Sequence, residues 1–245
     1  MPGVYSDQED YFNDIATAYR QELDVLYAAG CRHVQIDDPI LAFFCDLSML
    51  DGLKDEGQDP NVLFDAYIRL YNNCLTTRPQ DMTVSLHICR GNFRSMHFSE
   101  GGYDAVATKL FNDVNVDCYY LEFDTPRAGA YHHSFFSDLE SLTDGAGTFE
   151  PLKCLPKHKS VVLGIITSKF PELEDKEQLK ERVLDAARVM ASGTGETVEE
   201  ALQRIGVSPQ CGFASHEEGN RLTAADMKLK LELVRDLATS IWGDA

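Results

Sequence analysis

Hydrophobic residues recur along the chain with two alternating periods, which predict helices and strands in turn. Apolar positions over residues 12–26 follow the spacing of one helix face, and Gly30 is suited to end that helix. Residues 33–36 then have strand character, and this order of helix and strand is repeated to the end of the chain. The predicted strands lie in the segments CRHVQIDDP, MTVSLHIC, DCYYLEFD, SVVLGIIT and SPQCGFAS.

Further helical patterns separate the predicted strands. The segment after Thr197 begins with the capping-box pattern Thr-x-x-Glu, and the last helix is predicted over residues 222–242. Because the strands are largely apolar and alternate with helices, the pattern predicts an α/β fold with a parallel sheet. The other predicted helices cover residues 64–71, 103–111 and 179–190.

Polar and sulfur-containing side chains are concentrated where the predicted strands end. Residues two apart in a strand project from the same face, so the histidine and the cysteine of LHIC point the same way. A (β/α)-barrel carries its catalytic groups on the loops that follow its strands, and this placement therefore favours a TIM-barrel type of fold. The residues at these strand ends are Asp37, Asp38, His87, Cys89, Glu122, Asp124 and Cys211.

The number of predicted strands is too small for a closed barrel, which needs about eight. Additional strands within residues 39–60 or 125–158 would supply part of the difference. We favour instead a single (β/α)8-type domain over residues 1–245 that lacks its first three β/α units. A partial barrel exposes a sheet edge and apolar surface, which we expect a homo-oligomer to cover.

Composition narrows the class of protein and of partner. The formal net charge of −18 on 245 residues disfavours nucleic acid and anionic membranes, because both attract basic surfaces. The sequence has neither a membrane-length apolar run nor a signal segment, so we predict a cytoplasmic protein. Its seven cysteines are odd in number and widely spaced, as expected for free thiols in a reducing compartment.

The strand ends offer the groups that bind zinc in proteins, namely imidazole, thiolate and carboxylate. The candidates come from separate strands and not from tight Cys-x-x-Cys pairs, which favours a site at a barrel mouth over a zinc finger. The same spacing also fits buried cysteines and a hydrogen-bonded histidine, and by itself it does not separate the two interpretations. The candidate ligands are His87, Cys89, Glu122 and Cys211.

Several motifs, taken together and in this order, resemble those of a known family. The segments are VQIDDPIL, LHICRGN, YYLEFDTPRAG, VVLGIITSK and SPQCGFASHEEGNRLT. They are similar to the C-terminal catalytic domain of the cobalamin-independent methionine synthase family, and most similar to its short, single-barrel relatives. The resemblance covers residues 11–242.

This resemblance implies a (β/α)8 barrel and a methionine-forming S-methyltransferase with a catalytic zinc ion. It implies that zinc is bound by the four candidate ligands and that Asp37 holds the ammonium group of homocysteine, the thiol substrate. It also implies that the first three barrel strands of the family precede the segment present here. Methyltetrahydrofolate is the methyl donor that the family suggests.

One departure from the family pattern concerns that donor. Family members that use methylfolate carry a histidine at the end of the seventh barrel strand, as the acid for the leaving folate. Lys169 of GIITSK stands at or near that place. A lysine is a poorer acid at neutral pH unless burial lowers its pKa. We expect Lys169 to act in catalysis from that place. Because a lysine is the poorer acid, a non-folate methyl carrier or a small alkyl electrophile is the alternative donor.

Polar residues on the loops after the strands are further candidates for substrate binding. We also expect Asp124 to pair with Arg127 and to orient Glu122. The loop histidines His132 and His133 are interpreted as surface residues. The additional substrate-binding candidates are Asp38, Asn92, Asp124 and Asn220.

Two rival hypotheses come from other classes of protein. The first is a zinc-binding remnant of the family that binds a partner and no longer catalyses, because the missing strands have removed its substrate pocket. The second is a decarboxylase of the uroporphyrinogen-decarboxylase fold, which does not need the four zinc ligands together. Zinc content tests the decarboxylase hypothesis. The activity of the isolated chain tests the remnant hypothesis, because the first third of the barrel is missing.

Overall fold

One parallel sheet organises the described part of the chain, with its five strands in chain order. The computed structural model describes residues 3–125, 128, 148–214 and 216–243. Parallel neighbours require each connection to return the chain across the sheet, which the helices accomplish. The strands are β1 His33–Asp37, β2 Thr83–Ile88, β3 Cys118–Glu122, β4 Ser160–Ile166 and β5 Ile205–Pro209.

Helices lie in the described parts of these connections, and polar residues fix where several of them begin. The side chains of Asp7, Asp59 and Asp175 accept hydrogen bonds from backbone N–H groups in the first turns of three long helices. The predicted capping box between Thr197 and Glu200 is present. The α-helices are α1 Gln8–Ala28, α2 Leu47–Asp55, α3 Pro60–Cys74, α4 Ala107–Asp113, α5 Lys176–Thr194, α6 Val198–Leu202 and α7 Ala224–Trp242, and short 3-10 helices cover Pro39–Cys45, Tyr103–Ala105 and Glu150–Cys154.

The two faces of the sheet differ in chemistry. Along β2, Val84, Leu86 and Ile88 are buried and belong to the core formed with the helices, while Ser85 and His87 on the other face are half-buried. This alternation follows from the two-residue period of a strand. The core extends across the neighbouring strands through Tyr119, Leu121, Val161, Leu163 and Ile165.

Strand register aligns the polar face at the carboxyl end of the sheet. Asp37 of β1 lies opposite His87 of β2, which in turn lies opposite Tyr120 of β3. Two residues after Tyr120 on β3, Glu122 lies opposite Gly164 of β4. The polar face therefore gathers a carboxylate, an imidazole and a phenol into one row across three adjacent strands.

Gly164 occupies the tightest approach within the sheet. A Cβ atom at this position would lie 2.8 Å from the Cα of Gln210 and 3.0 Å from the carbonyl oxygen of Leu121. Both neighbouring atoms are backbone atoms, which cannot rotate away, and the register of β4 shifts between Gly164 and Ile166. Glycine is therefore required for β5 and the residues after it to come this close to β4.

Two predicted elements differ from the structure, and strands within residues 39–60, an alternative that was not favoured, are absent. The last strand is Ile205–Pro209, so Cys211 lies on the following loop and not in a strand. The small residues Gly206 and Ser208 on its half-buried polar face weaken the hydrophobic pattern that would have revealed it. Residues 39–60 contain no strand and form a 3-10 helix, α2 and the start of α3. Residues 103–111 are divided between a 3-10 turn and α4.

The predicted α/β class and parallel sheet are confirmed. Consecutive strand order with helical connections is the arrangement found within part of a TIM-like barrel. None of the helices in the described ranges is both long and apolar enough to span a membrane.

Candidate metal centre

The loops after β2 and β5 bring one imidazole and two thiols together. The ligand atoms of His87, Cys89 and Cys211 all lie within 4.8 Å of one another. Nε2 of His87 is 3.6 Å from Sγ of Cys211. His87 projects from the polar face of β2, Cys89 directly follows that strand, and Cys211 follows β5 by two residues. These three side chains form a group that could hold a metal ion.

Hydrogen bonds and charges within this group shift its acid–base properties. A hydrogen bond with the Cys211 thiol, followed by one with His87, holds the pKa of the Cys89 thiol far below its usual range. The hydrogen bond with Cys89 and burial raise the pKa of Cys211. Burial alone would lower the pKa of His87, but the neighbouring Cys89, Asp37 and Glu122 raise it overall. The group therefore favours one thiolate, which is the form of cysteine that binds metals.

Glu122, the fourth predicted ligand, lies beside this group and is fully buried. Its carboxylate is not among the atoms that lie within 4.8 Å of one another. Oε2 accepts a hydrogen bond of 3.0 Å from the backbone N–H of Arg90. The charge of Glu122 raises the pKa of both His87 and Cys211, so the carboxylate acts on both electrostatically. The structure thus brings three of the predicted ligands together and holds the fourth alongside.

A buried arginine and a buried tyrosine fix the position of Glu122. Nη1 of Arg90 donates a hydrogen bond of 2.6 Å to the hydroxyl of Tyr103, and its guanidinium lies 4.2 Å from the centre of that ring. The Tyr103 hydroxyl donates to the carbonyl oxygen of Ile88 and accepts from the backbone N–H of Glu122, at 2.8 and 3.0 Å. The sequence prediction missed both residues, since an arginine after a buried strand does not reveal where it points.

An open cleft of about 460 Å³ gives access to the three side chains. Asp37 stands at this cleft, with its Oδ1 3.9 Å from Nε2 of His87 and a side chain that is 68% exposed. A carboxylate that remains accessible to solvent can receive a cationic group of a bound molecule. Residues that line the cleft include Asp37, His87, Cys89, Asn92, Tyr120 and Cys211.

Two of the predicted substrate-binding aspartates lie elsewhere. Oδ1 of Asp38 accepts from the backbone N–H of Ile40 at 2.8 Å, and Oδ2 accepts from the Tyr71 hydroxyl. Asp38 thus caps a 3-10 helix, and neither it nor Asp124 lines the cleft. Asp124 follows β3 near Arg182; burial lowers the pKa of Arg182, and the charge of Asp124 partly opposes this shift. These contacts favour structural roles for both residues.

Asn92 and Lys169 both make hydrogen bonds that join loops. Asn92 lines the cleft, but its Nδ2 donates to the carbonyl oxygen of Gly212 at 2.7 Å. Lys169 is fully buried, and its Nζ donates to the carbonyl oxygens of Gly91 and Met96 at 2.7 and 3.1 Å. A lysine held in this way fixes a loop. Arg127, which was predicted to pair with Asp124, and the loop histidines His132 and His133 lie outside the described residues.

Comparison with known proteins identifies the family. Residues 4–123 match the family model described as the catalytic domain of cobalamin-independent synthase. The uncharacterized proteins YxjH and YxjG of Bacillus subtilis (strain 168) are 39% and 35% identical to the chain over 241 and 238 residues. The chain belongs to the cobalamin-independent synthase family.

The alignments cover nearly all of the chain but only about half of each relative. The two alignments include 98% and 97% of the chain but 56% of each relative. A crystal structure from Listeria monocytogenes, provisionally identified as a vitamin-B12-independent methionine synthase, matches with a TM-score of 0.66 at 32% identity. That match covers 97% of the chain and 57% of the Listeria chain. This member of the cobalamin-independent synthase family therefore spans little more than half the length of the relatives that it matches.

Family membership confirms the resemblance that the motifs indicated, and the structure of this chain adds buried residues beside the candidate ligands. Gln210 is an example that sequence analysis missed, because nothing distinguishes it from a surface glutamine. It is buried next to Cys211, and its Oε1 accepts from the backbone N–H and the hydroxyl of Ser168 at 2.6 and 2.8 Å. The loops after β4 and β5 are joined at that point, directly before a candidate metal ligand.

Proposed function

We propose that the protein is a zinc-dependent methyltransferase that moves a methyl group to a thiol such as homocysteine. The observation that carries this proposal is the convergence of His87, Cys89 and Cys211 at an open cleft. Membership of the cobalamin-independent synthase family supports the same reaction class.

The donor set suits zinc. Imidazole nitrogen and thiolate sulfur are its usual protein ligands, with bonds of about 2.0–2.3 Å, so ligand atoms around one tetrahedral ion lie roughly 3.5 Å apart. Nε2 of His87 and Sγ of Cys211 are separated by 3.6 Å. Three protein ligands beside a cleft are typical of catalytic zinc, which keeps one position open, while structural zinc is enclosed by four. His87, Cys89 and Cys211 would hold the ion, with the Glu122 carboxylate alongside.

The chain's own residues would prepare the thiol substrate in several ways. Bound zinc would supply the Lewis acidity that keeps a substrate thiol deprotonated at neutral pH. The accessible carboxylate of Asp37 would receive the ammonium group of an amino-acid thiol and orient its sulfur toward the cleft floor. Glu122 is held by Arg90 and Tyr103, so its negative charge stays fixed beside the candidate ligands His87 and Cys211.

The position of Lys169 bears on the choice of methyl donor. Its ammonium group donates to backbone carbonyls of the loop after β2 and it does not line the cleft. An acid for a leaving folate must reach the leaving nitrogen, directly or through one water. This arrangement favours a donor whose leaving group departs without a proton from Lys169, and methyltetrahydrofolate is the alternative to be tested beside it.

The fold of the complete domain is part of the proposal. Five parallel strands in chain order, with candidate ligands at their carboxyl ends, are what one part of a (β/α)8 barrel contains. We propose that this sheet belongs to such a barrel. The relatives carry additional length that the remaining strands would occupy.

Zinc content of the purified protein, measured by elemental mass spectrometry, tests the metal centre. We expect about one zinc ion per chain and its loss in Cys211→Ser, because a tetrahedral site with three protein ligands does not tolerate removal of one thiolate. Cys154→Ser is the matched control, since Cys154 is a half-buried cysteine that lies away from the cleft and should leave zinc unchanged. Full zinc occupancy in Cys211→Ser would contradict the proposal.

Methyl transfer is tested next, with homocysteine as acceptor and methyltetrahydrofolate or a small methyl electrophile as donor. We expect methylated thiol from the zinc-loaded wild type and none from Cys211→Ser. A zinc-loaded chain that methylates no thiol with any donor would instead favour the binding-protein hypothesis.

A further inference from the structure

We propose that Asn92 is a positioning residue that sets the spacing of the two candidate thiol ligands. Asn92 follows Cys89 by three residues, and its Nδ2 donates a hydrogen bond of 2.7 Å to the carbonyl oxygen of Gly212. Gly212 directly follows Cys211. This one amide therefore joins the two loops that carry the thiols, and the inference rests on the proposed metal centre.

The sheet alone does not fix this spacing. Cys89 follows β2 and Cys211 follows β5, and two other strands lie between them. Adjacent strands are about 4.8 Å apart, so β2 and β5 are separated by roughly 14 Å along the sheet. The thiols nevertheless approach within 4.8 Å. Contacts between loops must hold this approach, because Cys211 lies beyond the last strand residue Pro209.

Asn92 is itself held firmly. Its Oδ1 accepts from Nζ of Lys169 at 3.2 Å and from Nδ2 of Asn220 at 2.8 Å. The same Lys169 ammonium donates to the carbonyl oxygen of Gly91, directly before Asn92. The amide therefore has its oxygen toward two donors and its nitrogen toward Gly212, which determines its orientation.

The turn that carries Asn92 is tied to the rest of the molecule as well. Arg94 and Ser95 adopt left-handed conformations with φ of 51° and 65°. The backbone N–H of Ser95 donates to Oδ1 of Asn220, and its hydroxyl donates to the carbonyl oxygen of Lys169, at 2.8 and 2.6 Å. The surroundings compensate for the unfavourable backbone of this turn. The loops after β2, β4 and β5 thus form one hydrogen-bonded unit around Asn92.

This network gives Asn92 a role different from direct binding of substrate. Both polar atoms of the Asn92 amide already contact the protein, since the oxygen accepts two hydrogen bonds and the nitrogen donates one to the loop that carries Cys211. Residues that orient metal ligands without touching the ion typically change metal affinity by about 10–100-fold when they are replaced. We therefore assign Asn92 to ligand spacing and Lys169 to the support of Asn92.

Two substitutions separate this role from simple packing. Asn92→Ala removes the amide altogether. Asn92→Asp keeps an acceptor for Lys169 and Asn220 but cannot donate to Gly212. The Asp variant also adds a negative charge, which alone would attract a cation more strongly. A weaker zinc affinity in Asn92→Asp would therefore reflect the lost hydrogen bond.

Asn72→Ala is the matched control. Asn72 is half-buried and also joins two segments, since its Nδ2 donates to the carbonyl oxygen of Asp113 and its Oδ1 accepts from the backbone N–H of Asn115, at 2.7 and 2.8 Å. These contacts lie at the opposite, amino end of the sheet. Any general loss of stability from removing a bridging amide should appear in this variant without a change in zinc affinity.

The measurement is zinc affinity by competition with a chelator, together with the absorption of the cobalt-substituted protein. We expect Asn92→Ala and Asn92→Asp to bind zinc about 10–100-fold more weakly than the wild type. We also expect their cobalt–thiolate absorption to fall, because one thiolate is displaced, while Asn72→Ala matches the wild type in both. Circular dichroism of each metal-free variant shows whether it is folded. If Asn92→Ala is not folded, the zinc affinity of Asn92→Asp tests the positioning role.

The outcomes are distinguishable. Zinc affinities within about twofold of the wild type in both Asn92 variants, with unchanged cobalt spectra, would overturn the positioning role alone. Tighter binding by Asn92→Asp would also overturn it, because charge and not spacing would then dominate. Absence of zinc binding by the wild type would overturn the proposed metal centre, and with it the role of Asn92.

Discussion

The two ends of the parallel sheet are held together by similar devices but serve different purposes. At the amino end, the buried Lys159 donates to the carbonyl oxygens of Phe111 and Val114, and Asn72 joins two segments. At the carboxyl end, the buried Lys169 and the amide of Asn92 do the same for the loops after the strands. A shared scaffold of lysine and asparagine thus fixes the irregular backbone at both ends.

The two ends differ in which side chains remain available to bind a ligand. At the amino end, both oxygens of Asp117 accept from Arg78, and one also accepts from the backbone N–H of Val84. The polar groups there satisfy one another. Both ends carry an open cavity, but among the described residues the cavity at the carboxyl end is the one that is lined by an imidazole and two thiols able to hold a metal ion. Substitutions at the two ends should therefore separate ligand binding from stability.

The largest effect is expected for Cys89→Ser. Loss of this thiolate should weaken zinc binding by more than about 100-fold, because a neutral hydroxyl is a poor zinc ligand. The free energy of unfolding of the metal-free protein should change little, since serine is close to cysteine in size. Chelator competition and urea denaturation measure the two quantities. A large loss of stability with unchanged zinc affinity would mean that the carboxyl end is a structural region like the amino end.

The opposite pattern is expected for Asp117→Ala. This substitution leaves Arg78 and the N–H of Val84 without their acceptor, which should lower the free energy of unfolding by about 1–3 kcal/mol. Zinc affinity should remain that of the wild type. Weaker zinc binding in this variant would show that the two ends are coupled, and the comparison would then fail.

A smaller effect at the carboxyl end is expected for Asp37→Asn. If Asp37 receives the ammonium group of an amino-acid thiol, the KM of the variant for that thiol should rise by about tenfold. This is the effect expected from the loss of one charge-assisted hydrogen bond. A thiol of similar size without an amino group is the control substrate, and its KM should not change. Equal effects on both thiols would remove Asp37 from substrate recognition.

The smallest effect concerns the pH dependence at the amino end. Burial lowers the pKa of Lys159 to about 8 from an ordinary value of 10.5, so the unfolded chain binds more protons between these values. Stability should therefore rise with pH in this window. Between about pH 7.5 and 9.0, the free energy of unfolding of the wild type should increase relative to Lys159→Met by about 1 kcal/mol. A difference that does not vary with pH would show that Lys159 titrates normally.

Periodicity predicted the regular part of the fold well. Strands β2 and β4 are apolar enough to be recognised, and β1 was predicted within one residue of His33–Asp37. Strand β5 was misplaced, because Gly206, Ser208 and Pro209 give no strong hydrophobic pattern. Its location depends on pairing with β4, which is a contact between residues distant in sequence.

The same limit applies to the candidate metal centre. His87, Cys89 and Cys211 could be selected from sequence because their chemistry is distinctive and their motifs are those of a family. Asn92 and Lys169 were selected too, but the hydrogen bonds that join them to neighbouring loops could not be predicted. Hydrogen-bond partners are set by loop conformation, and short-range patterns do not specify the conformation of a long loop.

The close approach at Gly164 has a consequence for how such chains can diverge. Its absent side chain lets Gln210, and hence the loop that carries Cys211, lie against β4. A descendant could keep every imidazole and thiol of the centre and still lose the centre by exchanging this glycine for alanine. An inventory of reactive side chains would report that descendant as intact. Mutational tolerance of the metal centre is therefore limited by residue 164, where the chain must lack a Cβ atom.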